Sequence, residues 1–445
     1  MKITTLHINL YKSIKQPISF SALPVNILIG QNNCGKSNIL YAIDYLFDVQ
    51  GVSPILEYPG ADIEVELVFT EEELDRWNLP SKTASLTIKD EKRKLAFSNQ
   101  IVNYNGNWKD LLSVKIKHLN YDAFNDLEAV DKDWQSLQQH KEHFNKFKQH
   151  LKNHFPKISA KENALDIHYE HAGIKEGTRK ATIDHLGSGF RRIFTTLLYI
   201  FHPDYHIVIL DEPETHLHPV LVKKLLWAMQ NAEGGGQIFF TTHSPLFINS
   251  VTLPQVLRVV KDSATTKAFG LPVKKQHYSY KRLIQELNAD NVEMLFSDTT
   301  ILVEGISDRI LLRGLIDHFY QGNKDIKVVQ THGKGNIALY VDLLKIFHIN
   351  YIILADRDII KYQLDRVISH LGIKPKARKA NDLIIELKEY NVFILPGGSI
   401  EKHYPKKYQR DDKKTLNALY AATAITKTEF NSKIMKPLKE IIDRL

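Results

Sequence analysis

Apolar residues fall along this chain in short unbroken runs, separated by stretches where they recur every three to four positions. VNILIG (Val25 to Gly30) is one such run and predicts a buried strand; SNILYAIDYLF, after Lys36, has the spacing of a helix. From about Gly51 to Lys117 polar and apolar residues alternate, as in DIEVELVF and ASLTIKD, the period of half-buried strands. Between about Asn120 and Ala164 the sequence turns polar and Lys/His-rich (HKEHFNKFKQHLKNHF). This predicts helices, either a solvated arm or a surface for nucleic acid. An α/β order resumes near Ile183 with a helix, the strand HIVILDEP, a helix, a Gly234-Gly235-Gly236 loop and the strand QIFFTTHSP. Mixed strands and turns follow from about Ser250 to Tyr280, then a helix from Lys281 to Phe296. Strand-helix units then recur through TTILVEG, YIILADRD and NVFILPGGSIE. The pattern predicts an α/β protein of two domains, 1–275 and 295–445, joined near 270–297. A helical insertion is expected at about 118–165 and a helical tail at the C-terminal end.

Composition narrows the class. Hydrophobic residues make up 43% and charged residues 25% of the 445, as in proteins with packed cores. No apolar run reaches the roughly 18 residues that cross a bilayer, and MKITTLHINLYKSI lacks the long apolar stretch of a signal peptide. A cytoplasmic protein without membrane contact is the expectation. The single cysteine, Cys34, excludes an internal disulfide and argues against a cysteine zinc site. The net charge of +8 favours a polyanionic partner, because Lys and Arg release counterions condensed on phosphates.

Candidate chemistry sits at the ends of the apolar runs. Gly30-Gln31-Asn32-Asn33-Cys34-Gly35-Lys36-Ser37 fits G-x-x-x-x-G-K-[ST] between a strand and a helix. Its glycines let backbone N–H groups fold around phosphate, Lys36 would reach the β- and γ-phosphates, and Ser37 would bind Mg²⁺. Gly30, Asn33, Gly35, Lys36, Ser37 and Asn38 are therefore candidates for binding ATP. Cys34 reads as a small filler of the loop. In HIVILDEPE, Asp211 closes the strand as a candidate Mg²⁺ ligand, and Glu212 is placed to polarise the attacking water. Further on, Glu304-Gly305 ends a strand and Asp308 follows at a spacing of four. Asp356 and Asp358 alternate after YIILA, which on one strand would place both on the same side. NVFILP leads to Ser399 and Glu401. Acids at three strand ends of one parallel sheet would converge at its carboxyl edge. Such a group needs cations, and Mg²⁺ or Mn²⁺ suit it. Glu304, Asp308, Asp356, Asp358 and Glu401 are the expected ligands, and two metals there could hydrolyse a phosphodiester.

These motifs, taken in order, carry a resemblance. The first half resembles ABC ATPases of the structural-maintenance and recombination-repair kind. His243, after FFTT, is similar to their switch histidine. Gly187-Ser188-Gly189, opening a helix, resembles a shortened signature motif, which usually acts on the nucleotide of a second subunit. Gln100 is the candidate for the glutamine of the Q-loop. The second half resembles a Toprim domain of the OLD (overcoming lysogenization defect) nucleases in its pieces E-G-x-x-D, D-x-D and S-x-E. The resemblance implies an ATPase and an endonuclease in one chain, with Glu212, His243, Glu304, Asp356, Asp358 and Glu401 catalytic. It also implies a lysine beside the metals, for which Lys427, Lys433 and Lys436 all qualify. It implies a homodimer or higher homo-oligomer, a nucleic-acid substrate (DNA ahead of RNA) and a role in bacterial or phage defence. A sensor protein or a retron DNA–RNA hybrid is a candidate partner. Two other readings stay open: a nucleotide-gated sensor whose Toprim site cuts nothing, and an ATPase that loads other proteins with Toprim as a docking module.

Overall fold

The computed structural model describes residues 1–49, 58–98, 100–103, 107–156, 158–161, 164–171, 175–183, 186–271, 289–410 and 412–445. The chain divides into two compact units, 1–248 with 252–273 and 249–251 with 274–445.

The first unit opens with β1 (Lys2–Leu10), β2 (Ile18–Ser21) and β3 (Val25–Ile29), followed by α1 (Lys36–Phe47). β3 is buried at every position, as expected of a strand covered on both faces of a parallel sheet. Next come β4 (Asp62–Val68), α2 (Glu71–Trp77), β5 (Thr83–Lys89), β6 (Lys92–Phe97), β7 (Gln100–Asn103), α3 (Asn107–Ser113) and β8 (Ile116–Leu119). In β4 and β5, burial alternates with the pleat. Ile63, Val65, Leu67, Leu86 and Ile88 thus line one face of the antiparallel sheet β2-β1-β4-β5-β6-β7.

The Lys/His-rich stretch forms α4 (Tyr121–Asn125), α5 (Leu127–Gln139) and α6 (Lys141–His154). It is shorter than the 118–165 insertion expected from sequence, for two physical reasons. Pro156 cannot continue a helix, so α6 ends at His154 and β9 (Ile158–Lys161) follows; with β10 (Ala164–His171) and β11 (Lys175–Ala181) it makes the sheet β11-β10-β9. At the other end, His118 and Leu119 belong to β8, which is hydrogen-bonded in parallel to β12 (Ile207–Asp211). The hairpin is not a free arm either. Trp134 and Phe147 pack their rings 5.1 and 5.5 Å from Phe194 of α7 (Ser188–Phe201).

The unit closes with α8 (Pro219–Gln230), β13 (Gln237–Thr242), β14 (Val256–Asp262) and β15 (Thr265–Gly270). Its central sheet runs β15-β14-β3-β13-β12-β8, parallel throughout except for β15. The carboxyl ends of β3, β13, β12 and β8 therefore lie side by side.

In the second unit, residues 281–288 of the expected helix 281–296 lie outside the described residues. Ala289–Val292 is α-helical and Glu293–Phe296 is a 3-10 turn. β16 (Thr299–Val303), β17 (Ile326–Gln330), β18 (Asn350–Ala355) and β19 (Val392–Ile394) form one parallel sheet in the order β17-β16-β18-β19. The helix Ile306–Phe319 crosses the helix Lys414–Ala424 so closely that a Cβ on Gly314 would stand 2.5 Å from Ala422 Cβ. β18 stops at Ala355, which corrects the expectation that Asp356 and Asp358 alternate on one strand. Asp358 begins the short helix Ile359–Tyr362 instead. Among the described residues no helix is long and apolar enough to cross a membrane.

Candidate functional site

Two sites are built at the carboxyl ends of the two parallel sheets. In the first, the loop between β3 and α1 depends on backbone that only glycine adopts easily. Gly30 has φ 148° and Gly35 φ 103°; added Cβ atoms would stand 2.2 Å from Val259 O and from Thr266 Oγ1. Asn33 adopts φ 59°. Lys36 is buried and donates to the carbonyls of Gly30 (3.1 Å) and Gln31 (2.9 Å), so its ammonium is held inside the loop. Ser37 is half-buried beside it. Asn38 donates to Ser13 Oγ at 2.6 Å. Cys34 is buried, and burial raises its thiol pKa, which suits a filler.

The acid pair stands one strand beyond β13. Asp211 Oδ1 accepts from Thr241 Oγ1 at 3.1 Å. Glu212 has a left-handed φ of 46°, rare for a residue with a side chain. Its carboxylate lies 3.4 Å from His243 Nε2. Burial, helped by the Lys36 charge, holds His243 below the ordinary histidine pKa and so favours its neutral ring. Gly187 precedes α7, and Ser188 and Gly189 are its first residues.

Four residues that sequence reasoning missed join this site: Glu214, Arg192, and His118 with its partner Asp44. Glu214, two positions past the acid pair, accepts from Thr242 Oγ1 (2.6 Å) and the His243 N–H (2.9 Å), and burial raises its pKa. Arg192 of α7 donates to the carbonyls of Asp211 (3.1 Å) and Glu212 (2.9 Å). His118, at the end of β8, places Nδ1 2.5 Å from Asp44 of α1 and Nε2 3.4 Å from Asp211. Burial works against a charge on His118, but the two carboxylates outweigh it and hold its pKa at about 10. The acid motif itself hinted only at Glu214, through its second glutamate. Gln100 lies on β7, at the far edge of the antiparallel sheet, so His118 of β8 is the side chain that adjoins Asp211 from the next strand.

In the second unit the loops after all four strands are tied together. The Thr331 N–H donates to Val303 O (2.8 Å), Gly333 to Glu304 O (3.1 Å) and Arg357 to Gly398 O (2.9 Å). The five acids lie at this edge, where Asp308, Glu304, Glu401 and Asp358 all act on Asp356. Among the described residues no three His, Cys, Asp or Glu side chains already stand close enough together to hold an ion. Four of the acids have a partner of their own. Glu304 Oε1 accepts from the Asp356 N–H (3.2 Å), and Asp308 Oδ2 from Gly305 N–H (3.0 Å), capping its helix. Asp358 pairs with Lys334, and Glu401 lies 3.3 Å from Lys414. Those two lysines, rather than Lys427, Lys433 or Lys436, are the ones paired with the acids.

The electrostatics nevertheless show one shared field. Burial and then the charges of Asp308, Glu304, Glu401 and Asp358 push Asp356 up to about 7. Burial likewise lifts Asp308 to about 6 and raises Glu304. At Glu401, burial is outweighed by bonds from Ser399, its own backbone and Lys414, which lower its pKa. Hard carboxylate oxygens with surplus negative charge fit a divalent cation of the Mg²⁺ or Mn²⁺ kind.

A family model described as "AAA domain, putative AbiEii toxin, Type IV TA system" matches residues 25–97 and 77–249. One described as "Overcoming lysogenization defect protein-like, TOPRIM domain" matches 295–358, which stops short of Ser399 and Glu401. The Old nuclease of Escherichia phage P2 is 27% identical over 161 residues, 34% of this chain and 28% of that protein. The OLD nuclease of Thermus scotoductus is 29% identical over 165 residues, 34% of this chain and 31% of that protein. Endonuclease GajA of Bacillus cereus is 24% identical over 251 residues, 47% of this chain and 37% of that protein. The matched stretches thus span about a third of the length of these relatives. Over 25–249, half of its length, the chain belongs to the AAA-domain ATPase family of the first model, and its stretch 295–358 is similar to the Toprim domain of OLD-like proteins.

Proposed function

We propose that this protein is an ATP-regulated, divalent-metal-dependent endonuclease that hydrolyses phosphodiesters in DNA and acts in defence against phage. The observation that carries this reading is Asp356, raised to about 7 by burial and by four neighbouring carboxylates. Glu304, Asp308, Asp356, Asp358 and Glu401 would hold Mg²⁺ or Mn²⁺, which when bound supplies a Lewis acid and a more acidic water. Lys334 and Lys414 neutralise the outer acids and stand ready to meet a phosphate. In the ATPase unit, Gly30, Asn33, Gly35, Lys36 and Ser37 would hold the phosphates of ATP, and Asp211 with Ser37 would hold Mg²⁺. Glu212, kept next to a neutral His243, would orient the attacking water. Gly187, Ser188 and Gly189 open a helix whose N–H groups suit a γ-phosphate offered by a second copy of the chain. The relatives' printed names, nuclease and endonuclease, support cleavage.

One observation favours a second reading, a nucleotide-gated binder: two of the acids are already paired with lysines. Incubating purified protein with plasmid and Mn²⁺ separates the two. Cleavage by the native chain should fall about 100-fold or more in a variant carrying Asp356→Ala and Asp358→Ala. Equal cutting by the variant removes the Toprim acids from the mechanism; no cutting by either leaves the binder.

A further inference from the structure

The nucleotide end of the first sheet holds one more charged group than its motifs require. His118 is enclosed, its side chain 2% exposed, and the side chain of Asp44 beside it is 0% exposed. The Oδ2 of Asp44 meets His118 Nδ1 at 2.5 Å, while its Oδ1 is buried without a hydrogen-bond partner among the described residues. His118 is thus the principal compensation for a carboxylate sealed inside α1, the helix that begins at Lys36. The Tyr41 ring, from the same helix, closes over the imidazole at 5.6 Å between centroids. From its other nitrogen the ring faces Asp211 Oδ2 at 3.4 Å, while Asp211 Oδ1 accepts from Thr241 at 3.1 Å.

We propose that His118, anchored by Asp44, is a positioning residue that holds the Asp211 carboxylate in the orientation a nucleotide-bound divalent cation requires. Asp211 stands between two flanking strands, and each sends one donor to it: Thr241 from β13 and His118 from β8. Two donors on different oxygens leave the carboxylate little freedom to rotate. Each carboxylate oxygen carries two lone pairs, so Oδ2 can face His118 at 3.4 Å and still accept a cation. Asp44 keeps the ring in place, as outer partners do for groups around a metal. The anchor also joins the phosphate-loop helix to the acid strand. The inference rests on the reading of this end as a nucleotide site.

The test measures a fluorescent ATP analogue binding to the full chain, once in EDTA and once over a Mg²⁺ titration. In His118→Ala, affinity in EDTA should fall far less than affinity in Mg²⁺, because no atom of the loop around Lys36 is removed. The Mg²⁺ concentration for half-maximal tightening should rise about tenfold or more. His118→Gln, whose amide can still donate towards Asp211, should recover part of that loss, and Asp44→Asn should lose an intermediate amount. If His118→Ala does not fold, the Gln and Asn variants carry the comparison. The proposal fails if the EDTA and Mg²⁺ affinities fall together, if neither changes, or if folded His118→Gln is no better than His118→Ala. A native chain that binds no nucleotide in either condition overturns the nucleotide reading as well.

Discussion

Asp356 is a side chain whose charge this fold tolerates poorly. Its folded pKa is about 7 against the usual 3.8, through burial first and the neighbouring carboxylates second. Between those values the folded chain keeps a proton that the unfolded chain has lost, so this group's contribution to stability falls as pH rises through the window. Asp356→Asn should therefore melt above the native protein at about pH 8 without divalent cation, and level with it near pH 4. Mn²⁺ should raise the melting temperature of the native protein more than that of the variant. Thermal shift with an environment-sensitive dye measures both, and equal melting at the higher pH would mean the acids do not repel. The glycine loop, the acid pair and the Toprim acids were legible in the sequence because each motif is contiguous or begins a strand-helix junction. His118 was not: its partners lie 74 and 93 residues away. Lys334 was missed for the same reason, since Asp358 becomes its neighbour only once β16 lies between β17 and β18.

Among the elements, the hairpin of α5 and α6 shows how a polar stretch is held. Its few apolar residues recur at helical spacing, and Trp134 meets Phe144, Phe147 and Phe194 at 5.4, 5.4 and 5.1 Å. That spacing made helices readable, and Pro156 marked their end. The partner surface was not readable, because nothing local shows that Phe194 of α7 faces them. β8 was hidden more thoroughly: IKHL is four residues with a buried histidine, and it is a strand because β12 supplies the ladder. Trp134→Ala should cost about 3–5 kcal/mol in denaturant unfolding, from lost burial and the cavity left behind. Hydrogen exchange should lose protection in α5 and α6. Because α7 also carries Arg192, which grips the backbone of Asp211 and Glu212, nucleotide affinity should weaken too. A variant as stable as the native chain would show that the hairpin is not anchored through this ring.

At the level of the chain, each unit has a core of its own. The first is built on residues such as Ile27, Leu28, Ile207, Ile209 and Phe239, and the second on Ile301, Leu315, Ile352, Leu354 and Leu438. A ligand that binds one folded unit stabilises that unit by mass action. ATP with Mg²⁺ at a hundredfold excess over its dissociation constant supplies about 2.7 kcal/mol, roughly 5 °C or more in a unit of this size. Calorimetry of the full chain should show that shift in the transition of the ATPase unit. Lys36→Ala should abolish it, since it removes the ammonium held between the Gly30 and Gln31 carbonyls, the proposed partner of the phosphates. Asp356→Asn should move the transition of the Toprim unit and leave the nucleotide shift intact. If instead ATP moves a single transition in which both substitutions register, the two cores melt as one, and regulation of cutting by ATP acquires a direct thermodynamic route.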